Sequence, residues 1–155
     1  MQELEGRASN NLVRDVIAFS PDDQLLASAS SHWTIMLWNI ATGELMQKLE
    51  GHSNWINSIM FSCDGQLLAS ASDDWMVMLW NPATGKLMRK LEGHWSAVNA
   101  VAFSHDNQLL ASASNDAKIA LWDPATGKLM RRLGYHNLRQ IQCPIGICLR
   151  WIWAG

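Results

Sequence analysis

Gln66-Leu67-Leu68-Ala69-Ser70-Ala71-Ser72-Asp73-Asp74-Trp75-Met76-Val77-Met78-Leu79-Trp80 decides how this chain folds. Two short apolar runs, 67–72 and 77–80, flank a polar turn, which is the pattern of two paired strands. The phrase Gln-Leu-Leu-Ala-Ser-Ala-Ser stands at 66–72 and returns at 24–30 and 108–114. Working outward, Trp38, Trp80 and Trp122 recur at a constant step of 42 residues, and Phe19, Phe61 and Phe103 keep that step. Gly51-His52 returns as Gly93-His94, and Ala-Thr-Gly stands at 41–43, 83–85 and 125–127. Self-similarity at such a period marks a stacked repeat array.

Each unit reads as four short strands. In the second unit the spacing predicts strands at 56–61, 67–72, 77–80 and 87–91, here called a to d. Asp64-Gly65 and Asp106-Asn107 suit a tight turn that needs positive φ. Asn81-Pro82-Ala83-Thr84-Gly85 puts proline where a fixed φ helps and glycine where a side chain would be strained. Ala-Ser-Ala-Ser supplies the small side chains that closely stacked sheets require. Strand d carries Lys86-Leu-Met-Arg-Lys and Lys128-Leu-Met-Arg-Arg, a charged outer edge that discourages further pairing. Met36 and Met78, two residues before their tryptophans, read as packing against a neighbouring sheet.

The chain of 155 residues is 48% hydrophobic and 17% charged, which suits a folded domain and not a disordered one. A net charge of −2 gives no sign of nucleic acid or an anionic membrane as partner. Cys63, Cys143 and Cys148 are too few for a disulfide framework, and no second ligand pair accompanies Cys143 and Cys148. We therefore expect no metal and no cofactor, no membrane insertion, and a reducing, cytoplasmic setting. The apolar stretch 141–153 is interrupted by Gln142, Pro144 and Arg150 and is too short to span a bilayer.

A Gly-His pair followed by a tryptophan, with four strands per unit, resembles the WD40 family of β-propellers. The resemblance covers about residues 2–136. It implies an all-β fold of three four-stranded antiparallel blades in an incomplete ring. The expected division is 1–12 as a remnant of a preceding strand d and linker, 13–50 as a degenerate first blade, 51–92 and 93–133 as the second and third blades, and 134–155 as a non-repeat tail. Met1-Gln-Glu-Leu-Glu-Gly6 matches 46–51 at five of six positions, which motivates the remnant. The phrases Leu-Glu-Gly-His and Pro-Ala-Thr-Gly-Lys-Leu also resemble the repeat arrays of fungal NACHT–WD40 signalling proteins.

Serine, histidine and aspartate recur together, as in a hydrolase. They are His52, Ser70 or Ser72, and Asp74 with Trp80, then His94, Ser112 or Ser114, and Asp116 with Trp122. A catalytic triad occurs once per active site, however, and no Gly-x-Ser-x-Gly elbow is present. The family resemblance implies instead a buried chain of hydrogen bonds from tryptophan through serine and histidine to aspartate. We assign the serine two residues before the aspartate to that network, giving His52, Ser72, Asp74, Trp80, His94, Ser114, Asp116 and Trp122. In the first unit Gly6-Arg7 and His32 replace the histidine and aspartate positions, so this blade is expected to be the loosest.

The second and third units differ mostly at 53–55 against 95–97 and at 73–78 against 115–120. These d–a and b–c segments share one rim of a propeller, so the variation falls where a partner would bind. Trp33, Trp55, Trp75 and Trp95 lie there with Lys118, and Arg7 and His32 add polar groups. Exposed tryptophans dominate interfaces, although such rings also pack between blades. The expected function is a non-catalytic protein–protein interaction scaffold, a segment of a fungal NACHT–WD40-type receptor. Its alternatives are an adaptor in mitochondrial fission or the substrate receptor of a ubiquitin ligase. No coiled-coil arm supports the adaptor. Ala41, Ala83 and Ala125 stand where ligase receptors of the family usually carry arginine. Closed propellers have about 4–8 blades. Three would be completed by a longer parent chain or by association of copies.

Overall fold

The computed structural model describes residues 16–134. They form three four-stranded antiparallel sheets. The first contains β1 (Ile17–Phe19), β2 (Leu25–Ala29), β3 (Ile35–Asn39) and β4 (Leu45–Leu49). The second contains β5 (Ile56–Phe61), β6 (Leu68–Ser72), β7 (Val77–Asn81) and β8 (Lys86–Leu91). The third contains β9 (Val98–Phe103), β10 (Leu110–Ser114), β11 (Lys118–Trp122) and β12 (Leu129–Gly134). Each sheet pairs its strands in chain order, as up-and-down connections require. The remnant at 1–12, Arg7 and all of the 134–155 tail except Gly134, which ends β12, lie outside the described residues.

Alternation along each strand divides its side chains between two neighbours. Ala69, Ala71, Val77, Leu79 and Leu91 of the second sheet pack on Val98, Val101, Phe103, Leu110 and Trp122 of the third. The opposite face, with Ile56, Ile59, Phe61, Leu68, Met78 and Trp80, packs on Ala27, Ile35, Leu37 and Leu49 of the first. Ile56 shares a face with Ile59 and Phe61 because the β5–β6 register shifts between Ile56 and Ser58. Without that bulge, Ile56 would point to the other face. The central strand β6 is buried throughout, whereas every residue from Lys86 to Lys90 of β8 is exposed. Strand d is therefore the outer edge.

The turns follow their residues. Gly65 and Asn107 take positive φ in the a–b hairpins, at 70° and 58°. Asp64 braces its hairpin by accepting hydrogen bonds from the Ser62 hydroxyl at 2.6 Å and the Gln66 amide at 3.0 Å. In the c–d turn Gly85 has φ 70°, and a Cβ there would lie 2.7 Å from Oε1 of Gln47 in the preceding sheet. The b–c turns differ, because their positive-φ residues are Trp33, Trp75 and Ala117.

Candidate functional site

In the second sheet the d–a loop and the b–c turn are bound into one corner. The Asp73 amide donates to the Trp55 carbonyl at 2.8 Å, and the Ser53 amide donates to Oδ2 of Asp74 at 3.0 Å. His52 sits between them. Its Nδ1 is 2.7 Å from Oδ2 of Asp74 and its Nε2 is 2.7 Å from Oγ of Ser70. The Trp80 indole N–H donates to the same Ser70 oxygen at 2.9 Å. The third sheet repeats the arrangement. His94 lies 2.8 Å from Asp116 and 2.7 Å from Ser112, and Trp122 donates to Ser112 at 2.8 Å.

A carboxylate only accepts, so the Nδ1 facing it carries a proton and donates. Nε2 and the serine hydroxyl form the next link, and the serine oxygen accepts from the indole N–H. No buried side-chain nitrogen or oxygen among the described residues is left without a partner. Each link contributes about 1 kcal/mol, and leaving a buried member unpaired costs more.

The serine differs from the one predicted. Ser70 and Ser112 hold the network in place of Ser72 and Ser114. Register gives the reason. Trp80 is paired with Leu68, so Ser70 lies two residues along the neighbouring strand, about 7 Å away, and Ser72 about 13 Å away. An indole spans the shorter distance only. Ser72 instead braces the corner, donating to the Asn54 carbonyl at 3.1 Å and accepting from the Asp74 amide at 3.1 Å. Ser114 likewise donates to the Ser96 carbonyl at 3.0 Å.

Burial opposes ionisation of Asp74, but the His52 hydrogen bond and charge and the Ser53 and Met76 amides outweigh it, so the carboxyl is held below its ordinary range. At Asp116 burial is again opposed, here by the Trp95 amide, His94 and the Lys118 amide, with the same net direction. A carboxylate depressed in the folded state stabilises the fold above its unfolded value, near 3.8, and loses that contribution as pH falls through the folded value. The denaturation midpoint should therefore fall as the pH drops below about 4. The fall should be shallower in Asp74→Asn, in which this site no longer titrates. Equal slopes for the two proteins in urea titrations would contradict the assignment.

The first sheet keeps only part of the chain. Trp38 donates to Ser28 at 2.9 Å, but His32 at the aspartate position is exposed, with its Nδ1 3.3 Å from the neighbouring Ser31 hydroxyl.

The same corner carries the predicted rim. Trp33, Trp75 and Trp95 are exposed, at 40%, 54% and 74%. Trp55 is half-buried. Arg132 lies over the Trp95 ring, 5.5 Å from its centroid, and its guanidinium also donates to the Gly93 carbonyl at 2.5 Å. Lys118 is exposed at the start of β11. Among the described residues no group of three metal-binding side chains occurs, and no helix is long and apolar enough to cross a membrane.

The WD domain, G-beta repeat, matches residues 1–39, 43–81 and 85–123, more than half of the chain. The chain belongs to the WD40 family. Single repeats of this WD40 chain resemble bacterial proteins. It is 49% identical over 42 residues to the probable serine/threonine-protein kinase PkwA of Thermomonospora curvata, covering 27% of this chain and 6% of that protein. An uncharacterised WD repeat-containing protein of Nostoc sp. is 50% identical over 42 residues, covering 27% of this chain and 3% of its own length. A second from Nostoc sp. is 44% identical over 43 residues, covering 28% and 3%. The kinase match is confined to one repeat, and the chain spans only a small part of these relatives. The solved structure of U3-55K superposes with a TM-score of 0.76 at 24% identity, covering 82% of this chain and 41% of that one, a likeness of fold.

Proposed function

We propose that this WD40 chain is a non-catalytic protein-interaction scaffold that binds its partner on the rim formed by the d–a loops and b–c turns. Trp33, Trp75 and Trp95 supply apolar contact area, Trp55 supports them from a half-buried position, and Lys118 adds a cation. The serines of the triad-like sets do not support hydrolysis. Ser70 is 0% and Ser112 1% exposed, and each oxygen is already capped by an indole N–H. A nucleophile needs a reachable reacting atom, and none of these is reachable.

The observation that carries the rim is backbone conformation. Trp33 and Trp75 have φ 61° and 72°, in the left-handed region that favours glycine. A large side chain held there costs roughly 1 kcal/mol, and over half of the Trp75 surface faces solvent. A residue kept against local strain without burial in return points to binding.

Trp75→Gly tests the reading. We expect the variant to be about 1 kcal/mol more stable, a rise in Tm of a few degrees. A loss of 1 kcal/mol or more would show that the ring serves packing between blades.

A segment of a fungal NACHT–WD40-type receptor is the host proposed for this scaffold, on the phrasing of residues 49–52, 91–94, 82–87 and 124–129. A cytoplasmic setting is proposed with it, and the exposed free thiol of Cys63 supports a reducing environment.

A further inference from the structure

We propose that the outer edge of the second blade, with the c–d turn of the third blade beside it, is a second docking surface. It takes an acidic segment of a partner protein that also carries large apolar side chains. This surface is separate from the tryptophan rim. Blades stack through their faces, and β8 is the lateral edge of a sheet that lies between two others. Further blades before or after residues 16–134 would stack on faces of the same kind and leave this edge open.

Charge is sorted along the chain. Eight lysines and arginines lie within residues 16–134, and six of them stand on or beside two outer strands. They are Lys86, Arg89 and Lys90 on β8, and Lys128, Arg131 and Arg132 at β12. Neither strand contains a carboxylate. The whole chain has a net charge of −2, so this is a cationic strip on an acidic molecule. The equivalent edge of the first blade has Lys48 alone, with Gln47 at the place of Arg89 and Glu44 at that of Lys86. Among the described residues the ion pairs are His52 with Asp74 and His94 with Asp116, so no carboxylate at contact distance neutralises the strip.

The strip crosses the blade junction without a break. Arg89 donates to the Ala125 carbonyl in the c–d turn of the third blade. Leu91 Cδ2 lies 3.3 Å from the Cβ position of Gly127 in that turn, and Lys128 follows directly.

Apolar groups sit among the cations. Arg89 pairs with Leu79 and Leu87 with Trp80, so Met88 between them is the unpaired residue of a bulge. Met88 is 52% and Leu87 36% exposed. An unbranched, polarisable side chain adapts to the shape of a ligand. The bulge and the like charges make β8 a poor edge for strand pairing and set it against a second copy of itself. They attract an acidic ligand, whose carboxylates meet Lys86 and Lys90 while its apolar groups cover Leu87 and Met88. Exposed Glu92 follows β8, and Asp123 stands across the turn from Lys128, its amide donating to the Lys128 carbonyl at 2.9 Å. A flat anionic membrane would meet these carboxylates together with the cations, whereas a narrow peptide lies between them.

Anisotropy of a fluorescein-labelled peptide built of glutamate, aspartate, leucine and phenylalanine, titrated with the purified full chain, tests this. The wild type should bind it and release it as salt is raised. Lys86→Glu combined with Lys90→Glu should weaken binding roughly tenfold or more. Met88→Ser should weaken it about fourfold. Lys48→Glu and Trp75→Gly should bind as the wild type does, because neither the first edge nor the rim is used. Each variant is checked for a β-rich circular dichroism spectrum. A wild type that does not bind overturns the proposal, as does undiminished binding by the double variant or by Met88→Ser. Loss in Lys48→Glu overturns it too, and loss in Trp75→Gly would put the peptide on the rim instead. Phosphatidylserine vesicles that bind the wild type more tightly than the peptide does, and lose binding in the double variant, would assign the strip to membranes and overturn it as well.

Discussion

Ser70→Ala should lower the unfolding free energy by roughly 2–5 kcal/mol, whereas Ser72→Ala should lower it by about 1 kcal/mol. The two serines stand on one strand and are both 0% exposed, so burial alone does not separate them. Their partners do. Removing the Ser70 hydroxyl leaves the Trp80 N–H without its acceptor and the His52 Nε2 without its partner inside the protein. Each unsatisfied group costs about 1–3 kcal/mol. Removing the Ser72 hydroxyl frees the Asn54 carbonyl and the Asp74 amide, both on residues that are only partly buried. Urea denaturation of both variants decides the matter. Equal midpoints would mean that the network does not run through Ser70.

Trp122→Ala should cost about 3–5 kcal/mol, a large share of the 5–15 kcal/mol that stabilises a typical domain. The ring is 1% exposed and lies between the second and third blades, and its N–H holds Ser112. Deleting it opens a cavity in a junction and unpairs the hub of a network together. Trp95→Ala is the control. That ring is 74% exposed and touches Arg132, so its loss should change stability by under about 1 kcal/mol. Comparable losses from both substitutions in thermal melts would refute the division of tryptophans into fasteners and rim.

That division was legible in the sequence because period carries it. Trp38, Trp80 and Trp122 recur at one phase in each unit, whereas Trp33, Trp75 and Trp95 fall on turns and loops. The four strands per blade, the charged outer strand and the turn positions of Gly65 and Asn107 were readable for the same reason, since turn chemistry and alternation are local. The choice between Ser70 and Ser72 was not made correctly, although the signal was present. Counting the hairpin register from its turn pairs Leu68 with Trp80 and leaves only Ser70 within reach of the indole. The half-burial of Trp55 depends on the tertiary path of the d–a loop, which no local pattern encodes. The left-handed conformation of Trp33 and Trp75 was likewise hidden, because tryptophan does not announce a positive φ as glycine does.

The account rests on Trp–Ser–His–Asp sets that act as buried fasteners in two successive blades. Exchange of the indole Nε1 protons with deuterated water tests this directly by NMR. The Trp80 and Trp122 resonances should persist long after those of Trp75 and Trp95 have vanished. Loss of the Trp80 proton as quickly as that of Trp95 would contradict it.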